Sequence, residues 1–125
     1  MLVLLPLDPD ASAARIRVRV RELTGRTVGV VVSDSFGRPW RMGTTDVAIG
    51  AAGLAVLRDL RGTHDRRGYE LRSTQIAVAD ELAGAAELVM GKADGVPAAV
   101  IRGADVRGEG RACDLVIPEE RDLFR

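Results

Sequence analysis

The stretch Thr27-Val-Gly-Val-Val-Val32 is β-branched and nearly all apolar, the pattern of a strand covered on both faces. A strand of that kind folds only inside a layered domain, so helices or further strands elsewhere in the chain must cover it. Ser33-Asp34-Ser35 follows at its expected C-terminal end, where polar chemistry would sit. The stretch Phe36-Gly-Arg-Pro-Trp-Arg-Met-Gly-Thr-Thr-Asp46 contains two glycines and a proline and reads as a loop, with Val47-Ala-Ile49 as a short strand after it. Gly50 and Gly53 then permit close backbone approach.

The other elements are read from periodicity and punctuation. Leu2 to Leu5 is a short apolar run ended by Pro6, consistent with a buried strand. Asp10-Ala-Ser12 offers helix caps, Ile16, Val20 and Leu23 share one helical face, and Gly25 is a stop signal, which predicts a helix from about Ala11 to Leu23. The alternation Arg15-Ile-Arg-Val-Arg-Val-Arg21 has the two-residue period of a strand and argues the other way; helix is preferred. Ala55 to Leu60 fits a strand or a short helix, and His64-Asp-Arg-Arg-Gly68 a surface turn. Thr74 to Met90 is the clearest element. Ile76, Ala79, Leu82, Ala86 and Val89 recur at helical spacing, with Gly91 to end the helix. Ala98-Ala-Val-Ile101 reads as a short strand in a polar, Gly-rich C-terminal region.

The 125 residues correspond to one domain, and 18 basic against 18 acidic residues leave no net field to attract nucleic acid or an anionic membrane. Any phosphate site must therefore be local. Cys113 has no second cysteine to pair with, and His64 is the single histidine, which removes a disulfide scaffold and a structural zinc site. The apolar start is far shorter than the roughly 20 residues that span a bilayer, and it lacks the charged start of a signal peptide. The expectation is a cytoplasmic protein with no membrane or nucleic-acid partner.

Two segments carry candidate chemistry. Asp34 and Ser35 pair a carboxylate with a hydroxyl, hard oxygen donors suited to Mg²⁺ or Mn²⁺, and Arg38 and Arg41 could fork onto phosphate or carboxylate oxygens. A polar turn with solvated arginines explains the same residues. Met90-Gly-Lys-Ala-Asp-Gly-Val-Pro97 frees the backbone for a ligand and offers Lys92 as a compact cation. It lacks Walker A spacing, and a helix C-cap followed by a turn explains it equally. Asp80 and Glu81 are about 100° apart on a helix and read as polar-face residues. Trp40 suits a core or lid position better than a stacking platform, and the sequence does not decide.

Taken in order, Ser33-Asp-Ser-Phe-Gly-Arg-Pro-Trp-Arg41, Gly43-Thr-Thr-Asp-Val-Ala-Ile-Gly50, Ala79-Asp-Glu-Leu-Ala83 and Ala86-Glu-Leu-Val-Met-Gly-Lys-Ala-Asp-Gly95 resemble the coenzyme F420:L-glutamate ligase family, also called F420-0:γ-glutamyl ligase. The likeness runs from Leu4-Leu-Pro-Leu-Asp-Pro-Asp-Ala-Ser12 to Asp122-Leu-Phe-Arg125 and is to the C-terminal half of that family. It implies an α+β fold with a mixed sheet and packed helices, the whole chain from residue 1 to 125 being one domain, and intertwined dimers. The implied activity is GTP- and divalent-metal-dependent addition of L-glutamate, through a γ-linked amide, to the phospholactate arm of the deazaflavin coenzyme F420-0. In that chemistry an acyl phosphate forms from the substrate carboxylate and the GTP γ-phosphate, and the glutamate amine attacks it. The resemblance places Asp34 and Ser35 on the metal. It places Met90, Gly91, Lys92, Ala93, Asp94, Gly95, Val96 and Pro97 on GTP, with Lys92 at either the metal or the phosphate, and Arg38 and Arg41 at substrate or phosphate. No residue is singled out as the catalytic acid or base. The family's amino-terminal nucleotide-contacting segment and one further aspartate have no counterpart here. The alternative is a noncatalytic half, dimerising or nucleotide-binding, that needs an amino-terminal partner.

Overall fold

The structure, a computed structural model, describes residues 4–124. It has the expected α+β make-up. Helix α1 (Pro9–Thr24) leads into an antiparallel hairpin of β1 (Val30–Gly37) and β2 (Thr44–Ala52). A second, two-residue pair, β3 (Arg58–Asp59) with β4 (Gln75–Ile76), is followed by helix α2 (Val78–Met90) and two 3₁₀ turns. Where the resemblance implied a mixed sheet, both sheets of the described residues are antiparallel pairs.

Capping decides the ambiguous first helix. Asp8 accepts from the Ala11 N–H at 2.8 Å, Pro9 opens the first turn, and Gly25 closes the last in the left-handed region with its N–H on the Arg21 carbonyl. The strand-like alternation of Arg15 to Arg21 loses to these end signals. The helix is nevertheless rotated from the face the sequence suggests. Ala13 is fully buried and Arg17 and Val20 are partly so, whereas Ile16 and Leu23 are largely exposed. The reason is close packing: the carboxylate of Asp10 accepts from Ala51 N, Ala112 N and Cys113 N, and the Arg17 guanidinium lies over Gly53 while donating to the Val28 carbonyl. These contacts fix the rotation of α1.

The β1/β2 hairpin is longer than the sequence suggests. β1 starts at Val30 rather than Thr27, is half-buried rather than covered on both faces, and continues through Ser33-Asp34-Ser35 to Gly37. The expected loop over 36–46 shrinks to 38–43 because Phe36 and Gly37 pair with Thr45 and Thr44. A register shift between Val32 and Ser33 marks a bulge next to the polar residues.

The core is small and built largely from alanine. Ala51, Leu54, Val56, Ala79 and Ala112 form it, with Leu54 as its one fully buried large side chain among the described residues. The segment after β2 is clamped from both sides: Ala55 N donates to Val106 O at 2.7 Å and Gly110 N to Leu54 O at 2.8 Å. Ala98 to Ile101 forms no strand, because the backbone partners of 54–55 come from 106–110 instead. Of the strand expected over Leu2 to Leu5, Leu2 and Val3 lie outside the described residues. Leu4 and Leu5 are exposed and in no strand, since Pro6 and the Asp8 cap divert the chain straight into α1.

Helix α2 starts at Val78, later than Thr74, since Gln75 and Ile76 are drawn into β4. Val78, Ala79 and Ala83 are buried, Leu82 packs on the core, and Val89 is exposed. Between β3 and β4 the chain makes the expected surface turn, where the Asp65 carboxylate collects the N–H groups of Arg67 and Tyr69. No helix of the described residues is long and apolar enough to cross a membrane.

Candidate functional site

The site grows from the β1/β2 hairpin and the end of α2. Asp80, on the first turn of α2, accepts from the Ala48 N–H at 2.9 Å and so fixes that helix along β2. Close packing continues at Gly84, where an added Cβ would lie 3.4 Å from the Thr45 hydroxyl oxygen. The helix then ends beside the hairpin. Gly91 closes it at a positive φ of 60° with extended ψ, a combination open essentially to glycine, its N–H on the Glu87 carbonyl, and releases Lys92 toward β2.

Lys92 forms an ion pair with Asp46, and Ser33 donates its hydroxyl to the other Asp46 oxygen at 3.0 Å. Asp46 is only 4% exposed, so its charge needs these partners. The Asp46 hydrogen bond holds the Lys92 ammonium above its ordinary pKa; partial desolvation opposes this, and the charges of Asp46, Glu87 and Asp34 add to it. About half of the Lys92 side chain stays exposed, leaving ammonium donors free for a ligand.

Asp34 and Ser35 lie on the same hairpin, opposite Val47 and Asp46 respectively. As consecutive strand residues they project from opposite faces, with Ser35 sharing the face of Asp46. Both are exposed, and their side chains carry no hydrogen bond or ion pair among the described residues. Arg38 and Arg41 stand in the hairpin connection. The Arg38 Nη2 group makes one long contact, 3.5 Å, to the Met42 carbonyl, and its Nε is buried without an acceptor. The hairpin thus carries acidic residues within its paired strands, a fixed cation and a basic tip.

Comparison with known proteins gives this arrangement a context. Residues 1–103 match the family model described as F420-0:Gamma-glutamyl ligase. The chain belongs to that family. Coenzyme F420:L-glutamate ligases from Methanocaldococcus jannaschii and Methanothermobacter thermautotrophicus are each 50% identical to it, over 98% and 97% of this chain and 50% of their own length. The corresponding ligase of Methanopyrus kandleri is 48% identical over 99% of this chain and 52% of its own. The chain spans about half the length of these relatives.

In this member of the ligase family, two of the expected segments meet. Lys92, from the stretch 90–97, is joined to the hairpin that bears Asp34 and Ser35, whereas Arg38 and Arg41 lie past the ends of the paired strands. Asp34 and Ser35 supply the hard oxygens that Mg²⁺ or Mn²⁺ prefers, in the small number that magnesium takes when phosphate and water complete its shell. Both are exposed, but as consecutive strand residues they project from opposite faces, so the two side chains do not converge on one ion in this structure. Among the described residues there is no cluster of three or more His, Cys, Asp or Glu able to hold one alone.

Sequence reasoning missed Asp46, placing it at the end of a loop, and missed Ser33 as its partner. The available signal was a single lysine in the chain and an acidic residue directly before an apolar strand, since a carboxylate entering a sheet requires a counter-charge. It also read Asp80 as a polar-face residue, although its carboxylate is spent on a strand N–H. Cys113 is not an activated nucleophile. Desolvation first, then a hydrogen bond with Asp10, push its thiol up.

Proposed function

We propose that this chain forms part of a cytoplasmic ligase that adds L-glutamate to coenzyme F420-0 through a γ-linked amide, with GTP as co-substrate and Mg²⁺ or Mn²⁺ as cofactor. The observation that carries this reading is the Lys92 to Asp46 ion pair, which joins the 90–97 stretch to the hairpin bearing Asp34 and Ser35. In this reading 90–97 contacts GTP, and the Asp34 carboxylate would bind the metal beside Ser35. The ion, when bound, supplies positive charge against phosphate oxygens.

The protein's own contribution is positioning and charge. The Asp46 carboxylate and Ser33 hold Lys92 in place, so its remaining donors meet a γ-phosphate without first losing side-chain freedom. Gly91 and Gly95 both adopt positive φ, a backbone course that a side chain would strain, and Lys92 lies between them. Arg38 and Arg41 offer forked donors to the anionic groups of the acceptor. The acceptor carboxylate attacks the γ-phosphorus of GTP, the β–γ bridging P–O bond breaks, and GDP leaves to give an acyl phosphate. The glutamate amine then attacks the acyl carbon, phosphate leaves, and the amine proton passes to solvent or phosphate. None of these residues is assigned as the base.

A second reading is favoured by one observation: the chain spans about half of its relatives' length. In it, this chain dimerises or binds nucleotide and turns over only with a complementary half. Calorimetric titration of GTP with and without Mn²⁺, into wild type and Asp34→Asn, tests the site. Metal-dependent GTP binding that Asp34→Asn weakens tenfold or more is expected; metal-independent binding, or none by the folded chain, would overturn it. Glutamylation of F420-0 by the chain alone separates the first reading from the second.

A further inference from the structure

The hairpin connection holds a residue that its backbone does not favour. Arg38-Pro39-Trp40-Arg41 forms a tight turn closed by Arg41 N on the Arg38 carbonyl at 3.4 Å. Pro39 takes the second position and Trp40 the third, at φ 56. A positive φ at the third position of such a turn is ordinarily met by glycine or asparagine. Trp40 is the one non-glycine residue with positive φ among the described residues. A bulky side chain there is strained, and folding gains little in exchange: the indole is 94% exposed. Phe36 and Met42 flank the turn, also exposed.

Two features indicate what the indole meets. The basic groups beside it are uncommitted: neither Arg38 nor Arg41 has an ion pair among the described residues, and the Arg38 Nε lacks an acceptor. A purely apolar partner would bury those guanidinium groups at a cost, whereas a ligand with a flat ring and an anionic arm answers both the indole and the arginines. Backbone strain of this kind clusters at active sites and ligand clamps, and here it falls on an exposed aromatic beside unpaired cations.

We propose that Trp40 is the stacking platform for the planar ring of the acceptor, with Arg38 and Arg41 receiving the phosphate and carboxylate of its arm. This rests on the reading of F420-0 as acceptor. It makes the hairpin tip the part of this chain that selects a ring-bearing substrate over a bare phosphorylated acid. No bond is made or broken in this step.

Trp40 is the single tryptophan of the chain, so indole emission reports on the tip alone. Coenzyme F420-0, and separately phospholactate without the ring, would be titrated into wild type, Trp40→Phe and Trp40→Ala, following emission corrected for absorbance and heat in parallel. F420-0 is expected to quench the wild-type emission at the concentrations where heat is released, and phospholactate is expected to leave it unchanged. Trp40→Ala should weaken F420-0 binding tenfold or more, the usual scale for losing one stacked ring, and Trp40→Phe should stay within about threefold of wild type. Binding of F420-0 with full affinity by Trp40→Ala, or by wild type without quenching, would overturn the proposal and leave the acceptor reading intact. No F420-0 binding by the folded wild type would overturn both. Ligand-free emission that shifts to the blue as protein concentration rises would place Trp40 against a second copy of the chain and also overturn it.

Discussion

Lys92 reaches across 46 positions of sequence to ion-pair with Asp46, whose carboxylate is otherwise sealed from solvent under Ser33. One contact thereby does two jobs, anchoring the chain after α2 and neutralising a charge inside the hairpin. Lys92→Met removes the cation and leaves a buried carboxylate. The expected destabilisation at pH 7 is about 2 kcal/mol, below the usual cost of breaking a fully buried pair because half of the lysine is exposed. Pairing Lys92→Met with Asp46→Asn should recover a large part of it in a double-mutant cycle. Urea unfolding of the four proteins reads the coupling, and additive effects would show that the pair contributes nothing.

Asp10 ties the start of α1 to β2 and to the first 3₁₀ turn through three backbone N–H groups. Partial burial raises its pKa, but hydrogen bonds from Ala51, Ala112 and Cys113 outweigh this and hold it below the ordinary 3.8. A depressed carboxylate stabilises the fold above its unfolded pKa, and the contribution is lost as pH falls through the folded value. Stability should therefore decline from about pH 4 downward. Asp10→Ala strands two N–H groups of partly buried backbone, for an expected loss of about 2 to 4 kcal/mol at pH 7. That variant should also show a flatter dependence of melting temperature on pH below 4. Asp59 is lowered further, to about 2, chiefly by its hydrogen bond with Arg61, yet both are exposed and Asp59→Asn should barely move the melting temperature.

The same contacts explain what the sequence could and could not reveal. The C-terminal end of α1 was legible because Gly25 acts locally, whereas the cap is Asp8 and not Asp10 or Ser12, since the Asp10 carboxylate is taken by the distant N–H groups of Ala51, Ala112 and Cys113. The rotation of α1 was not legible, because Arg17 and Asp10 are held by partners as distant as Gly53 and Cys113. The helix α2 and its Gly91 terminus were legible for the same local reasons, while Ile76 followed a strand partner, Arg58, that no helical period could reveal. At the site, Asp34 and Ser35 stood out as polar residues after an apolar run. Asp46 did not, since its role depends on a lysine brought in by α2.

Gly50 is required by contact rather than by backbone angle. A Cβ there would lie 2.3 Å from the Pro9 carbonyl oxygen and 2.4 Å from its carbon, both main-chain atoms that cannot swing aside. Gly50→Ala must push the start of α1 off β2 and pull Asp10 from the Ala51 N–H. The expected destabilisation is about 3 kcal/mol, the upper range for overpacking. Gly37, on the partner strand, meets nothing within 4 Å, and Gly37→Ala should lie within about 0.5 kcal/mol of wild type. Equal effects in urea titrations of the two variants would contradict the close approach.

Trp40 sets stability against binding. Glycine is the residue that the third position of this turn prefers, and the exposed indole contributes little packing, so Trp40→Gly should stabilise the chain by about 1 kcal/mol through relief of the positive φ. For a chain of this size that is a rise of roughly 3 to 6 °C in melting temperature. The same variant should bind F420-0 at least tenfold more weakly, as Trp40→Ala does. Opposite signs in the two measurements are what a binding residue held in a strained conformation predicts. A fall in melting temperature on Trp40→Gly would instead show that the indole supports the hairpin, and the strain would then need no ligand to account for it.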